Sequence, residues 1–218
     1  KDKMFNAFSS AWDVTRTEWQ MNVIKDMWQG FEAPEGTTST KPYSPFMDVY
    51  KGEFFNHVKE FGVTQQQVAA ICAKNHQHSV HNPNAQFRVP YSVDDVMGAP
   101  PITYPLTLPM CAPISDGAAA TILCTEEALN KYGIDKSRAI RVAGSVVGSG
   151  VERALNDFDN HIVTRLSKKL YEQAGIGAKD VDVVELHDAT AVGELIEVEC
   201  LGLCPLGEGG IFAEQGET

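Results

Sequence analysis

Three short runs rich in apolar residues, each with a helical pattern after it, constrain the fold of this chain more than any other sequence feature. The three runs are residues 118–124, 140–147 and 181–186. Runs of this length are typical of buried strands, and β-branched side chains pack well on a pleated surface. The helices predicted after them are residues 125–132, 162–174 and 192–201. Strands that alternate with helices predict an α/β fold with a layered core.

The first third of the chain predicts a helix followed by an irregular segment. Trp19, Val23 and Met27 recur at helical spacing within residues 16–29, which indicates core packing or a subunit contact. Residues 33–45 hold three prolines and a Thr/Ser run, which is typical of a loop.

Two capping patterns predict helix starts further along the chain. Thr64 is followed three residues later by Gln67, and Ser92 is followed in the same way by Asp95. The first of these helices is predicted to end before Pro83, because the residue preceding a proline disfavours helical geometry.

Charge and hydropathy exclude two classes of partner. Acidic residues outnumber basic ones by 29 to 18, which gives a net charge of −11. The chain has no Lys/Arg cluster, whereas nucleic-acid-binding proteins carry a basic face. Its apolar stretches are far shorter than the ~20 residues that span a bilayer. We therefore expect no nucleic-acid partner and no membrane span.

The cysteines and the N-terminus indicate a compartment. Five cysteines, an odd number, follow no spacing of a disulfide framework, which suits a reducing environment. The first residues lack the apolar run of a secretory signal. We expect a cytoplasmic protein, and because the chain starts at Lys1 rather than Met, we interpret it as a piece of a longer one.

The segment from Glu185 to Thr190 is the candidate site that the sequence marks most clearly. It lies between a predicted buried strand and a predicted helix, and ligands of open α/β sheets bind beyond the carboxyl ends of strands. There His187 can donate a hydrogen bond to a developing oxyanion or act as an acid or base. An equally weighted interpretation is a capping loop in which Asp188 or Thr190 binds helix N–H groups.

A cysteine and histidine cluster has a simpler explanation than metal binding. Cys72 and His76 share a helix face, which resembles metal-ligand spacing. However, His78 points away from that face and His81 lies at the helix end. We therefore favour a set of surface or interface histidines.

Two C-terminal patterns also have simple explanations. Cys200 and Cys204 lack the second pair that a zinc site needs, so they are interpreted as small buried apolar residues. The glycine-rich residues 207–210 fit no phosphate-loop pattern and predict a mobile turn with no helix after it.

Short motifs spread over residues 47–210 resemble one protein family in both sequence and order. The run 105–108, Cys111 and the run 115–120, which reads Ser-Asp-Gly-Ala-Ala-Ala, resemble a thiolase signature. Further stretches that agree are residues 61–64, 74–76, 82–87, 185–191 and 199–204. The chain therefore resembles the thiolase superfamily, in the branch of sterol-carrier-protein-type thiolases and lipid-transfer proteins.

The resemblance implies a thiolase-like layered α/β/α/β/α fold, of which this chain would hold the central part. Residues 1–101 would form a loop domain inserted in the N-terminal half. Residues 102–147 would close that half, and residues 148–218 would open the C-terminal half.

The resemblance also implies which catalytic groups to expect. The family's nucleophilic cysteine precedes the position of Lys1, and its Gly-His-Pro histidine and Cys-x-Gly cysteine follow that of Thr218. The Gly-His-Pro motif does not occur in this sequence, and none of its five cysteines matches either catalytic cysteine of the family. His187 matches the catalytic position of the one active-site loop that is present, where it would support the thioester oxygen; other thiolases have Asn there. Ala112 stands where a serine of other thiolases touches pantetheine.

The implied function is that of an acyl-CoA C-acyltransferase, with this chain inactive by itself. Ala189-Thr190 stands where many of these thiolases have Cys-Phe, a departure that resembles the lipid-transfer-protein branch and its aldolases. Thiolysis, Claisen condensation and retro-aldol cleavage of an acyl-CoA all remain open. The alternative of another class is a non-catalytic lipid-transfer or structural subunit.

The resemblance implies partners as well. Coenzyme A and acyl-CoA would be substrates, with no cofactor and no metal. A homodimer or homotetramer is expected, and some relatives work with a small partner subunit that contains zinc and an OB-fold. The aromatic residues Trp12, Trp19, Trp28 and Phe31 present more apolar surface than a loop domain readily hides, which favours assembly.

Overall fold

The computed structural model describes residues 15–218, and helices dominate that part of the chain. The α-helices are α1 (Thr17–Met27), α2 (Phe46–Phe61), α3 (Gln65–Ser79), α4 (Val93–Met97), α5 (Glu126–Lys131), α6 (Ile162–Ala174), α7 (Ala191–Cys200) and α8 (Gly209–Gln215). Single 3-10 turns are formed by Leu108–Met110, Lys136–Arg138 and Ala178–Asp180. Trp12, part of the aromatic set above, lies outside the described residues.

Two short strands form a hairpin between α4 and the first 3-10 turn. β1 (Pro101–Thr103) pairs antiparallel with β2 (Leu106–Thr107). Thr107 also donates a hydrogen bond of 2.8 Å from its hydroxyl to the carbonyl of Val96, which joins the hairpin to α4. Among residues 15–218 these two strands make up the sheet that the structure contains.

Helices α2, α3 and α7 enclose the core. Phe54 of α2, Val68 and Ile71 of α3 and Leu195 of α7 are each at most 2% exposed. Burying one such side chain contributes ~1.5–3 kcal/mol to folding. Helix α8 packs against both α3 and α7. The core therefore joins residues from the first third of the chain to residues near its C-terminus.

The predicted helix boundaries are confirmed where a local signal marks them. The hydroxyl of Thr64 accepts a hydrogen bond from Gln67 N–H at 3.3 Å, and Oε1 of Gln67 accepts one from Thr64 N–H at 3.0 Å. Ser92 and Asp95 form the same capping box. Helix α6 ends at Gly175, whose φ of 72° favours glycine.

The three predicted strands are wrong as far as the described residues go. Residues 113–124, 140–153 and 182–188 make no backbone–backbone hydrogen bond within that part of the chain. Their apolar side chains lie in solvent: Ile140 is 92% exposed, Ile122 91% and Val183 80%. An extended segment becomes a strand only when a neighbour pairs with its N–H and C=O groups. We call these three stretches the unpaired segments.

One unpaired segment nevertheless packs against a helix. A Cβ added at Gly144 would lie 2.8 Å from Cδ1 of Leu170, and one at Gly148 would lie 2.8 Å from Cδ2 of Leu166. Both leucines belong to α6, so the helix lies close over the glycines. The segment therefore packs on α6 although the predicted strand pairing is absent from the described residues.

The glycine-rich stretch 207–210 also differs from its prediction. Helix α8 begins inside it, and Gly209 and Gly210 are buried. A Cβ at Gly210 would lie 2.7 Å from Cβ of Gln67, so glycine allows α8 to approach α3. The stretch is a packed helix start rather than a mobile turn.

Candidate functional site

The loop of residues 187–190 joins an unpaired segment to α7. The hydroxyl of Thr190 accepts a hydrogen bond from Gly193 N–H at 3.2 Å and so caps the helix. This confirms the capping interpretation for Thr190. His187 is exposed, whereas Thr190 is 1% exposed. Capping by Thr190 therefore leaves the imidazole of His187 available to a ligand.

The backbone of this loop is tied to the segment that follows the hairpin. Ala112 N–H donates a hydrogen bond of 3.0 Å to the carbonyl of Ala189, and Cys111 forms an isolated antiparallel bridge with Thr190. Ala112 itself is exposed. A loop held from both its cap and its backbone restricts where His187 can lie.

Two carboxyl groups, those of Asp188 and Glu197, interact electrostatically with His187. Burial raises the pKa of Asp188, and the charge of Glu194 raises it further. Burial also raises the pKa of Glu197, while the imidazole of His187 opposes that shift and the charge of Asp188 adds to it. Raised pKa values of neighbouring carboxyl groups are common at functional sites.

Tyr50 of α2 places its phenol ring beside the first turn of α7. A Cβ added at Gly193 would lie 3.3 Å from Cε1 of Tyr50, so the ring packs on the first turn of α7. Burial raises the pKa of Tyr50, and the charges of Glu197 and Asp188 add to that rise. Sequence reasoning missed Tyr50, because no motif marks it and only its spacing from Phe54 on one helix face hints at burial.

Two consecutive residues of α3 bind the carboxylate of Glu194. The ammonium of Lys74 forms an ion pair with Oε1 of Glu194, and Nδ2 of Asn75 donates a hydrogen bond of 2.5 Å to Oε2. Glu194 is 6% exposed. Lys74 and Asn75 fall inside the matched stretch 74–76, so the resemblance marked their positions but not their role.

A buried contact between His57 and Glu199 also joins α2 to α7. Nε2 of His57 lies 3.1 Å from Oε2 of Glu199, and both side chains are fully buried. Oε1 of Glu199 accepts a hydrogen bond of 3.0 Å from Gly209 N–H at the start of α8. Sequence reasoning missed this pair too, because His57 lies in no recognised motif and is 142 positions from Glu199.

The described cysteines of the core are poor nucleophiles. Burial raises the pKa of Cys72 to about 12 and that of Cys111 to about 11. Burial likewise raises the pKa of Cys200 to about 11 and that of Cys204 to about 12. Such thiols are protonated near neutral pH, and only a thiolate attacks a thioester. The interpretation of Cys200 and Cys204 as buried apolar residues is confirmed.

The predicted histidine cluster is spread over different surroundings. The ring of His76 packs against that of Tyr91, with centroids 4.5 Å apart and planes tilted by 41°, whereas His78 and His81 are exposed. Cys72 donates from its thiol to the carbonyl of Pro109 at 3.2 Å. Within residues 15–218, no group of three or more His, Cys, Asp or Glu side chains is arranged to hold a metal ion.

The predicted aromatic surface is smaller than expected. Trp28 and Phe31 pack against the core, whereas Trp19 is 54% exposed. Across the described helices, none combines the length and the apolar character needed to cross a membrane.

Known proteins resemble this chain over most of its length. Residues 152–218 match a family model described as thiolase C-terminal domain-like. The benzoylsuccinyl-CoA thiolase subunit BbsB of Thauera aromatica is 44% identical over 164 residues, which cover 74% of this chain and 42% of that protein. Sterol carrier protein 2 of Oryctolagus cuniculus is 37% identical over 189 residues, covering 83% of this chain and 34% of that protein.

A solved structure also resembles this chain in its fold. The Ltp2-ChsH2(DUF35) aldolase matches with a TM-score of 0.60 and 19% identity, over 82% of this chain and 52% of that one. The chain thus spans less than half the length of the two curated relatives above.

Proposed function

Because the chain belongs to the thiolase superfamily, in its branch of sterol-carrier-protein-type thiolases and lipid-transfer proteins, we propose that it forms part of an acyltransferase acting on acyl-CoA thioesters. Its fold is thiolase-like and mixed α/β, helix-rich with a small sheet in the described part. Coenzyme A and acyl-CoA are the proposed substrates, and no cofactor is proposed.

His187 is the residue proposed to act on the thioester. The observation that carries this role is an exposed imidazole on a loop fixed by the Thr190 cap and by the Ala112–Ala189 hydrogen bond. A donor held in place stabilises charge that develops on the thioester oxygen, without reorganising during the reaction. The buried core thiols support the proposal that the attacking cysteine comes from elsewhere.

Assembly belongs to the same proposal. A homodimer or homotetramer would cover exposed apolar residues such as Trp19, Ile122 and Ile140. A small partner subunit with zinc and an OB-fold is proposed as a further possible component. A cytoplasmic location is proposed as well, since the five cysteines are free in the structure.

The test compares substitutions of His187 in the natural polypeptide that contains this sequence. Thiolysis of acetoacetyl-CoA by CoA is followed by thioester absorbance. We expect His187→Ala to lower kcat by about 10²–10³ with little change in KM, because an oxyanion donor acts mainly in the transition state. His187→Asn should retain more activity, since its amide still donates a hydrogen bond.

Two controls define the outcome. The exposed histidine variant His78→Ala should keep full activity. The 218-residue chain by itself should show no turnover, because its sequence has no Gly-His-Pro motif and no cysteine that matches a catalytic cysteine of the family. If kcat were unchanged in His187→Ala, or if His187→Asn were no more active than His187→Ala, then His187 would be a structural loop residue. If the polypeptide cleaved an acyl-CoA by a retro-aldol reaction and showed no thiolysis, the family and fold would stand and retro-aldol cleavage would replace thiolysis as the proposed reaction.

A further inference from the structure

The side chain of Tyr50 lies where α2 meets the first turn of α7, the turn that directly follows the loop of residues 187–190. We propose that Tyr50 is a positioning residue: its ring packs on Gly193 and so fixes the first turn of α7 and, through that turn, the loop that carries His187. The inference rests on the function proposed for His187 and adds the residue of α2 that keeps this imidazole in place.

Gly193 is the point at which the ring, the loop and the helix cap converge. A Cβ added there would lie 3.3 Å from Cε1 of Tyr50, 3.8 Å from Cα of Asp188 and 4.0 Å from Oγ1 of Thr190. The N–H of Gly193 also donates a hydrogen bond of 3.2 Å to the same hydroxyl. The ring of Tyr50 and the backbone of Asp188 therefore both border the bare Cα of Gly193, beside the cap.

Tyr50 is itself held by the packing of α2. Phe54 lies one helical turn further along the same face and is 1% exposed, and Tyr50 packs against the core to which Phe54 belongs. A tyrosine side chain has only two rotatable bonds, so a fixed helix leaves its ring little freedom. The ring is therefore a rigid support for the turn that it contacts.

A second contact between the same two helices gives this support its effect. Nε2 of His57 lies 3.1 Å from Oε2 of Glu199, and both side chains are fully buried. At ~1.5 Å per residue, Tyr50 and His57 lie ~10 Å apart along α2. Gly193 and Glu199 lie ~9 Å apart along α7. The helices thus run side by side between the two contacts, and the ring of Tyr50 determines how closely the end of α7 that follows the loop approaches α2.

Removal of the ring should therefore loosen the loop. The hydrogen bond from Ala112 N–H to Ala189 O holds the loop backbone from its other side, but it does not support the turn that follows. A displacement of about 1 Å in a group that contacts the reacting atoms can lower a rate by about 10²-fold. Tyr50 thus acts on catalysis through the position of His187, without touching substrate.

The first experiment measures the loop itself, in the natural polypeptide that contains this sequence. Hydrogen exchange of Ala112 N–H reports the loop, and that of Gly193 N–H reports the first turn of α7. We expect Tyr50→Leu to speed both exchanges about tenfold, because the smaller side chain leaves the turn unsupported. Tyr50→Phe should change neither, because a ring carbon makes the contact. The matched control is Tyr132→Leu, at a tyrosine that is 69% exposed.

A variant of Gly193 tests the same contact from the side of α7. A methyl group there would displace the ring of Tyr50, yet alanine also favours a helix more than glycine does. The informative quantity is therefore the difference between two backgrounds. Gly193→Ala should protect Ala112 N–H about threefold more in Tyr50→Leu, where the ring has left space, than in the protein with Tyr50.

Three results in these measurements would overturn the proposal. The first is a Tyr50→Leu variant that exchanges like Tyr132→Leu. The second is an equal effect of Gly193→Ala in both backgrounds. The third is an exchange that rises equally at Ile71 N–H in the core of α3, because that would indicate a general loss of stability rather than a loosened loop.

Activity in the same polypeptide separates this inference from the function on which it rests. Tyr50→Leu should lower kcat about tenfold with KM unchanged, and should add little to the loss in His187→Ala, because both act through one imidazole. Tyr50→Phe should keep kcat. Fully additive losses, or an equal loss in Tyr50→Phe, would overturn the role of the ring. If His187→Ala remained fully active while Tyr50→Leu still speeded exchange of Ala112 N–H, the contact would hold the loop and the proposed function would fail.

Discussion

The helices around the core and the unpaired segments use similar residues with opposite results. Val68 of α3 is fully buried, whereas Ile140 is 92% exposed. A helix satisfies its backbone hydrogen bonds within itself, so a local sequence signal is enough to place it. An extended segment depends on a neighbour. The contrast teaches that burial here follows from whether an element can complete its hydrogen bonds inside the described chain.

Paired polar side chains differ between the two regions in the same way. His57 and Glu199 in the core are fully buried, while Lys136 and Glu126 near the unpaired segments are 46% and 82% exposed. Exposed pairs are worth ~0–1 kcal/mol, whereas breaking a buried pair costs several times more. Such side-chain pairs therefore contribute to the stability of the fold mainly in the helical core.

The largest expected loss of stability comes from disrupting the buried pair in the helical core. We predict that His57→Leu lowers the free energy of unfolding by about 3–5 kcal/mol, because Glu199 would be left buried without its imidazole partner. Urea denaturation at pH 7 measures this difference. The exposed control His78→Leu should change stability by less than about 0.5 kcal/mol. A loss below about 1 kcal/mol in His57→Leu would show that the pair is hydrated.

A smaller effect would test how much the helices owe to local signals. Thr64→Ala removes the hydroxyl that accepts from Gln67 N–H at the start of α3. We predict a loss of about 1 kcal/mol in the free energy of unfolding, the usual value of a cap. Thr64→Ser keeps the acceptor and serves as the control. Equal stability of the Ala and Ser variants would mean that packing, rather than the cap, fixes the start of α3.

The smallest expected change in stability concerns the unpaired segments. Ile140→Ala should change the stability of the 218-residue protein by less than about 0.5 kcal/mol, because that side chain contacts mostly solvent. Ile71→Ala in the core, 2% exposed, is the positive control and should cost about 2–5 kcal/mol. A loss above about 1 kcal/mol at Ile140 would mean that the 140–153 segment is buried in solution, for instance by a second copy.

These contrasts explain which parts of the fold could be predicted from the sequence. Helices α3, α4, α6 and α7 follow from caps, glycine stops and apolar spacing, all of which act within a few residues. The strand predictions failed because β-branched content indicates a preference for extension but cannot supply a neighbour. Helix α8 was missed because its glycines matter through contact with Gln67, which is distant in sequence.

The candidate site was predictable to the same extent. The loop carrying His187 could be found from its place after an apolar run and from the family motif, and the Thr190 cap from its residue type. The roles of Tyr50 and Lys74 could not, because each reaches the site from a helix more than a hundred residues earlier. The catalytic role of His187 stays a prediction.

The pairing of His57 with Glu199 has a consequence for the order in which the chain folds during synthesis. The two residues are 142 positions apart. Helices α1 and α2 pack on each other, as do α3 and α4, and all four emerge from the ribosome well before α7, so these local contacts can form early. Until residue 199 has been made, the His57 imidazole has no carboxylate and the face of α3 that contacts α7 is bare. The nascent chain is therefore most exposed to aggregation while the unpaired segments are being translated, and arrival of α7 ends that interval.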